Sequence, residues 1–166
     1  MSIKKHFRLS RGFTLVELLV VIAIIGILAT LLLLQLGVAR SRARDAKRIA
    51  DVNQIRTAAE LYYDDNGMYP QFAIAGLEAV LKPRYLTQMP VDPLNVAPYV
   101  YGYAFNGNTK YQVFANLEQW AQALSSDADI DASVAPWSGG VDGALDDKAG
   151  CLIKTTVTCI YDQGQN

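Results

Sequence analysis

The chain has 166 residues, with 15 Lys and Arg against 16 Asp and Glu and a net charge of −1. That length allows a membrane anchor plus one modest domain. Its only histidine is His6, in a basic leader, so a chain that loses the leader has no imidazole and can run neither a Ser-His-Asp nor a Cys-His mechanism nor a histidine-ligated zinc site. No G-x-x-x-x-G-K-[ST] or G-x-G-x-x-G pattern is present, which argues against nucleotide hydrolysis or a Rossmann cofactor.

Residues 1–12 carry Lys4, Lys5, Arg8 and Arg11, which by the positive-inside rule keep the N-terminus cytoplasmic. Arg40, Arg42 and Arg44 follow the next segment closely, so charge alone does not decide the orientation. From Phe13 to Ala39 the chain is apolar enough for one spanning helix, since about 20 residues at about 1.5 Å each cross a bilayer. Between Leu18 and Leu34 there is no charge, and Thr30 is the one side chain with a hydrogen-bonding group. Glu17 is the anomaly, because a carboxylate at membrane depth costs on the order of 2.5–3.5 kcal/mol. A cut between Gly12 and Phe13 creates an α-ammonium four residues before Glu17 on the same helical face. That amine can pair with Glu17 in its own chain or, between axially offset helices, with Glu17 of a neighbour.

Gly12-Phe13-Thr14-Leu15-Val16-Glu17, preceded by the four basic residues, resembles the class III signal of type IV prepilins and type II secretion pseudopilins. The resemblance implies that a prepilin peptidase cuts after Gly12 and N-methylates Phe13, and that Glu17 guides subunit docking. It also implies an α+β, pilin-like fold: a long N-terminal helix, hydrophobic in its first half, carrying a small C-terminal antiparallel β-sheet domain. Family members commonly have a proline near Leu34; this span has none, and Gly26 is the residue that could loosen the helix. The alternatives are a single-pass anchor and a secretory signal peptide cut after the small-x-small run Gly37-Val38-Ala39. An ordinary signal core is only about 7–15 residues long, and this one is longer and contains Glu17.

From residue 40 to 65 the helix is expected to continue with Ile49, Val52, Ile55, Ala59 and Tyr62 on one apolar face. Residues 13–59 hold six Lys or Arg against three acids, and residues 60–166 hold five against thirteen, so a basic stem precedes an acidic body. Clustered arginines at 40, 42, 44, 48 and 56 attract nucleic-acid phosphate, but anionic lipid headgroups and the acidic body of a neighbouring subunit are equally good partners. A solvated or packed stem is the default expectation.

Asp64-Asp65-Asn66-Gly67 ends the helix, and Pro70 prevents its continuation. The run Tyr62 to Pro70 and the run Tyr85-Leu86 to Pro93 resemble the YY-x-x-N-G-x-YP and YL…P.DP elements of major pseudopilins and related pilins. Between them a short helix is expected over Gly76 to Leu81, and the prolines at 90, 93 and 98 predict an extended connection. A hairpin is predicted with strands Tyr99 to Ala104 and Lys110 to Leu117 around the turn Asn106-Gly107-Asn108. Its tyrosines at 99, 101 and 103 should pack on the long helix. Glu118 to Leu124 is expected to form a helical turn.

The stretch from Ser125 to Gly150 is polar and acidic. Asp127, Asp129 and Asp131 have the alternate spacing that opens an EF-hand loop, but Ala132 and Ser138 stand where that loop needs glycine and glutamate. Major pseudopilins bind calcium in a C-terminal loop, so these three and Asp142, Asp146 and Asp147 are weak calcium candidates, with no residue-level correspondence to the family. Otherwise no cofactor is expected. Cys151 and Cys159, in an oxidising space beyond the membrane, are read as a disulfide rather than a metal site.

The resulting organisation is a cleaved leader at 1–12, a transmembrane and filament-core helix at 13–39, the amphipathic second half of that helix at 40–65 and a β-containing head at 66–166. The expected function is that of a structural subunit, not an enzyme. It is held in the cytoplasmic membrane with its N-terminus in the cytoplasm, processed, then polymerised with other copies into a helical type IV pilus-like filament by an assembly platform and its ATPase. The alternatives are the major pseudopilin of a type II secretion system and a binding module on a permanent anchor.

Overall fold

A computed structural model describes residues 13–141, 143 and 159–166. The leader with Gly12, the acids Asp142, Asp146 and Asp147, and Cys151 lie outside the described residues. The fold is α+β. Its elements are α1 (Leu15–Asn66), α2 (Ile74–Leu81), β1 (Gly102–Asn106), β2 (Lys110–Leu117), a 3-10 turn (Gln122–Ser126) and β3 (Cys159–Gln165). The chain divides into two compact units, one ending at Ala39 and the other beginning at Arg40.

In the first unit the helix runs without proline, and Leu, Ile and Val side chains such as Leu18, Ile22, Ile25 and Leu32 are all exposed. This part of α1 is long and apolar enough to cross a membrane. The Thr30 hydroxyl donates back to the Ile27 carbonyl at 2.7 Å, so the one polar side chain of the apolar run is satisfied within its own helix.

In the second unit α1 buries the stripe read from the sequence. Val52, Ile55 and Ala59 are fully buried, and Ile49 and Tyr62 pack against the same core. The helix stops at Gly67, whose φ of +70° is the left-handed geometry glycine adopts most readily. The Gly67 N–H donates to the Tyr63 carbonyl at 2.8 Å, closing the last turn. Leu77 and Leu81 of α2 and the inward faces of β1 and β2 complete the core.

The three strands form an antiparallel sheet in the order β1-β2-β3. Tyr103 pairs with Val113, and Val113 in turn pairs with Gln163. The second strand falls on the predicted residues, whereas the first differs: Tyr99 to Tyr101 lie outside it. The Tyr99 and Val100 N–H groups are turned back onto the Val96 and Pro98 carbonyls at 2.7 and 2.9 Å, so they cannot enter the ladder. The strand begins at Gly102, where the Phe114 ring crosses so closely that an added Cβ would lie 2.0 Å from its Cζ. The third strand, Cys159–Gln165, is a further correction, since only a strand or loop ending at Cys159 was expected.

Candidate processing and assembly site

The first turn of α1 is fixed by two residues, Thr14 and Glu17. Thr14 stands just before the helix, and its N–H and hydroxyl both donate to Glu17 Oε2, at 2.8 and 2.7 Å. The Glu17 N–H donates to Thr14 Oγ1 at 3.3 Å. This reciprocal arrangement is a capping box, written in the sequence as T-x-x-E and not among the expectations for this segment. It satisfies backbone donors that a helix start leaves open and places the carboxylate at the positive end of the helix dipole. Among the described residues Glu17 Oε1 accepts no hydrogen bond, so the carboxylate keeps an acceptor for a further cation. Phe13, which follows the expected cut, is 82% exposed.

The basic stem is largely consumed by the fold. Arg48 is completely buried. Its Nε and Nη2 donate to Asp92 at 2.6 and 3.1 Å, and its Nη1 donates to Asp45 at 2.7 Å and Glu118 at 2.8 Å. Arg44 donates to Glu118 through Nε and Nη2, each at 2.6 Å. Asp45 also accepts the backbone N–H groups of Glu118 and Gln119, and the Tyr99 ring lies 4.6 Å from the Arg48 guanidinium carbon. The network therefore pins α1 to the Asp92 loop and to the residue after β2. Asp92 was read only as part of an extended proline-bounded segment; its role as counter-ion to Arg48 has no local sequence signal. Lys47 pairs with Asp51 at 3.4 Å, while Arg40 and Arg42 make no hydrogen bond or ion pair among the described residues.

The network makes stability depend on pH with opposing signs. Hydrogen bonding from Arg44 holds the Glu118 pKa below its ordinary 4.5, against burial. Burial alone would raise Asp92, but the bonds from Arg48 outweigh it and lower its pKa. Burial wins at Asp45, whose pKa is raised. A depressed carboxylate contributes stability that is fully present above its unfolded pKa and lost as pH falls through its folded one. The head is therefore expected to lose stability as pH drops below about 4.5, with a shallower fall in Glu118→Gln. Denaturant titrations of the two proteins across that window check this.

The tyrosines serve the core. The Tyr101 hydroxyl donates to Asp51 at 2.6 Å, and those of Tyr69 and Tyr111 donate to Glu60 at 2.9 and 2.6 Å. Among the described residues no three of His, Cys, Asp and Glu stand close enough to hold a metal. Asp131 is closed onto the N–H and hydroxyl of Ser133, Asp127 accepts the Asp162 N–H, and Asp129 is exposed. A buried carboxylate unnoticed in the sequence organises their loop instead: Asp162 accepts the Asp129 and Ile130 N–H groups, each at 3.0 Å, and Gln112 Nε2–H at 2.9 Å. Cys159 is buried at the start of β3.

Residues 7–33 match the family model described as the prokaryotic N-terminal methylation motif. Over 107 residues the chain is 36% identical to type II secretion system core protein G of Pseudomonas aeruginosa, covering 57% of this chain and 74% of that protein. It is 28% identical over 144 residues to the protein of the same name from Aeromonas hydrophila, covering 79% and 94%. Fimbrial protein EcpC of Eikenella corrodens is 40% identical over 88 residues, covering 51% and 56%. No solved structure gives a significant match.

Proposed function

Since this chain belongs to the family of type II secretion system core protein G, the major pseudopilins, we propose that it is the repeating subunit of a secretion pseudopilus, processed between Gly12 and Phe13 and methylated on Phe13. Proteins of this family are structural subunits rather than enzymes. The observation that carries the reading is the start of α1: a carboxylate fixed by its own cap, retaining a free acceptor, at the head of an exposed apolar helix. In the membrane that helix contacts lipid. In the filament it packs against sister helices, and Glu17 receives the α-ammonium of a neighbour's Phe13, which fixes their axial offset.

Before assembly the basic leader holds the N-terminus in the cytoplasm and the head lies on the other side of the membrane, where Cys151 and Cys159 are joined. A membrane platform and its ATPase supply the work of extraction, because subunit packing by itself replaces one apolar environment with another. A type IV pilin is the second reading, favoured by the likeness to the fimbrial protein. Surface filaments without an export defect distinguish a pilin; loss of protein export on deletion distinguishes a pseudopilin.

Intact mass of the purified native protein tests the processing step. The expected species lacks residues 1–12 and carries one added methyl group. Retention of the leader, or loss of residues 1–39, contradicts the proposal.

A further inference from the structure

Of the six Lys and Arg that follow the apolar segment up to residue 59, Arg42 combines exposure, no hydrogen bond or ion pair among the described residues, and a place at an apolar groove. The groove, of about 360 Å³, is bedded on Ala46 and Ile49 of α1 and on Trp120 and Ala121 beyond β2. Its neighbouring acid, Asp45, is already turned inward onto Arg48 and the backbone of Glu118 and Gln119. The site thus presents one uncommitted cation beside an apolar bed, and it suits a partner bearing an apolar side chain next to an uncommitted carboxylate.

The same chain carries such a pair. Leu61 is 47% exposed, and Asp64, one turn later and so on the same helical face, is exposed and has no hydrogen bond or ion pair among the described residues. The other exposed acids of the head fit less well among the described residues: Glu78 is paired with Lys82, Asp65 with Arg84, Asp131 is closed onto Ser133, and Asp129 stands beside the buried Ile130 with no exposed large apolar side chain next to it in the chain. Resting on the pseudopilus reading, we propose that the Arg42–Trp120 groove of one subunit receives Leu61 and Asp64 of a second copy. The two halves of the contact are different surfaces, so the interface is heterologous and repeats without closing, as a filament requires. Arg42 and Asp64 are 22 positions apart, which sets an axial offset of about 33 Å between the copies in contact.

Charge exchange tests the contact in the full-length protein, expressed with its assembly platform. Arg42→Glu and Asp64→Arg each place like charges together, and each is expected to lower the polymerised fraction at least about tenfold. The double variant, which restores opposite charges, should return to within about twofold of wild type. Membrane accumulation and leader removal should be unchanged in all three, since neither side chain holds the fold together. A single reversal without effect overturns the contact, as does a double variant no better than the worse single one. So does an Arg42→Glu defect that follows the anionic-lipid content of the membrane and ignores position 64. In each of those cases wild type still polymerises, so the pseudopilus reading survives; processed wild-type protein that never polymerises defeats that reading itself.

Discussion

Arg48→Met is expected to cost about 3–5 kcal/mol of head stability, a large share of what a small domain possesses. The replacement is close in volume but leaves Asp45 and Asp92 with buried charge, and leaves Glu118 dependent on Arg44 alone. Burial by itself would disfavour the Arg48 cation, yet its bonds to Asp92, Glu118 and Asp45 hold the guanidinium pKa above the ordinary value. Arg48→Lys should fall between the two, because an ammonium is a point charge and cannot reproduce the fork that engages Asp92 through two nitrogens while a third meets Asp45 and Glu118. Thermal unfolding of detergent-solubilised protein is the check: a midpoint lowered by at least about 10 °C is expected for Arg48→Met. An unchanged midpoint would mean that the α1, Asp92 and Glu118 segments hold together without their common cation.

Glu17→Ala is expected to leave the protein in the membrane and its polymerised fraction reduced at least about tenfold. The substitution removes the cost of a carboxylate at membrane depth, so insertion should improve slightly. What is lost, on the proposed pairing, is the acceptor for a neighbour's ammonium, an interaction worth far more in apolar surroundings than in water. Thr14→Val separates the two duties of Glu17. It deletes the side-chain half of the cap, worth about 0.5–2 kcal/mol, but keeps the carboxylate, and should impair assembly less than Glu17→Ala. Ultracentrifugation of sheared and membrane fractions measures both. If Glu17→Ala polymerises like wild type, assembly does not run through that carboxylate.

Much of this architecture is legible in the sequence because it depends on local chemistry. An uninterrupted apolar run, the 49-52-55-59-62 stripe and Gly67 dictate where α1 runs, which face it buries and where it stops. The capping box is equally local, but Glu17 is also a charge at membrane depth, and only the folded turn shows it paired with Thr14. Other features were not readable in that way. Asp92 meets Arg48 across 44 positions and Asp162 meets Gln112 across 50, and such pairings emerge only once the head has folded. The start of β1 was misplaced for a related reason: alternating tyrosines from Tyr99 mimic a strand, but the turn beside Pro98 diverts their backbone bonds, and the Phe114 ring demands a glycine at 102. The final strand, with Gly164 and Gln165 near its end, has too little alternation to be recognised without its partner β2.

The most direct measurement is a zero-length crosslink in polymers assembled from a mixture of light- and heavy-isotope subunits, with the Phe13 amine and the Glu17 carboxyl as the reacting pair. The account predicts crosslinked peptides of hybrid mass that join Phe13 of one copy to Glu17 of another. Crosslinks of uniform isotope only, or none at Glu17 while the polymer remains intact, would contradict it.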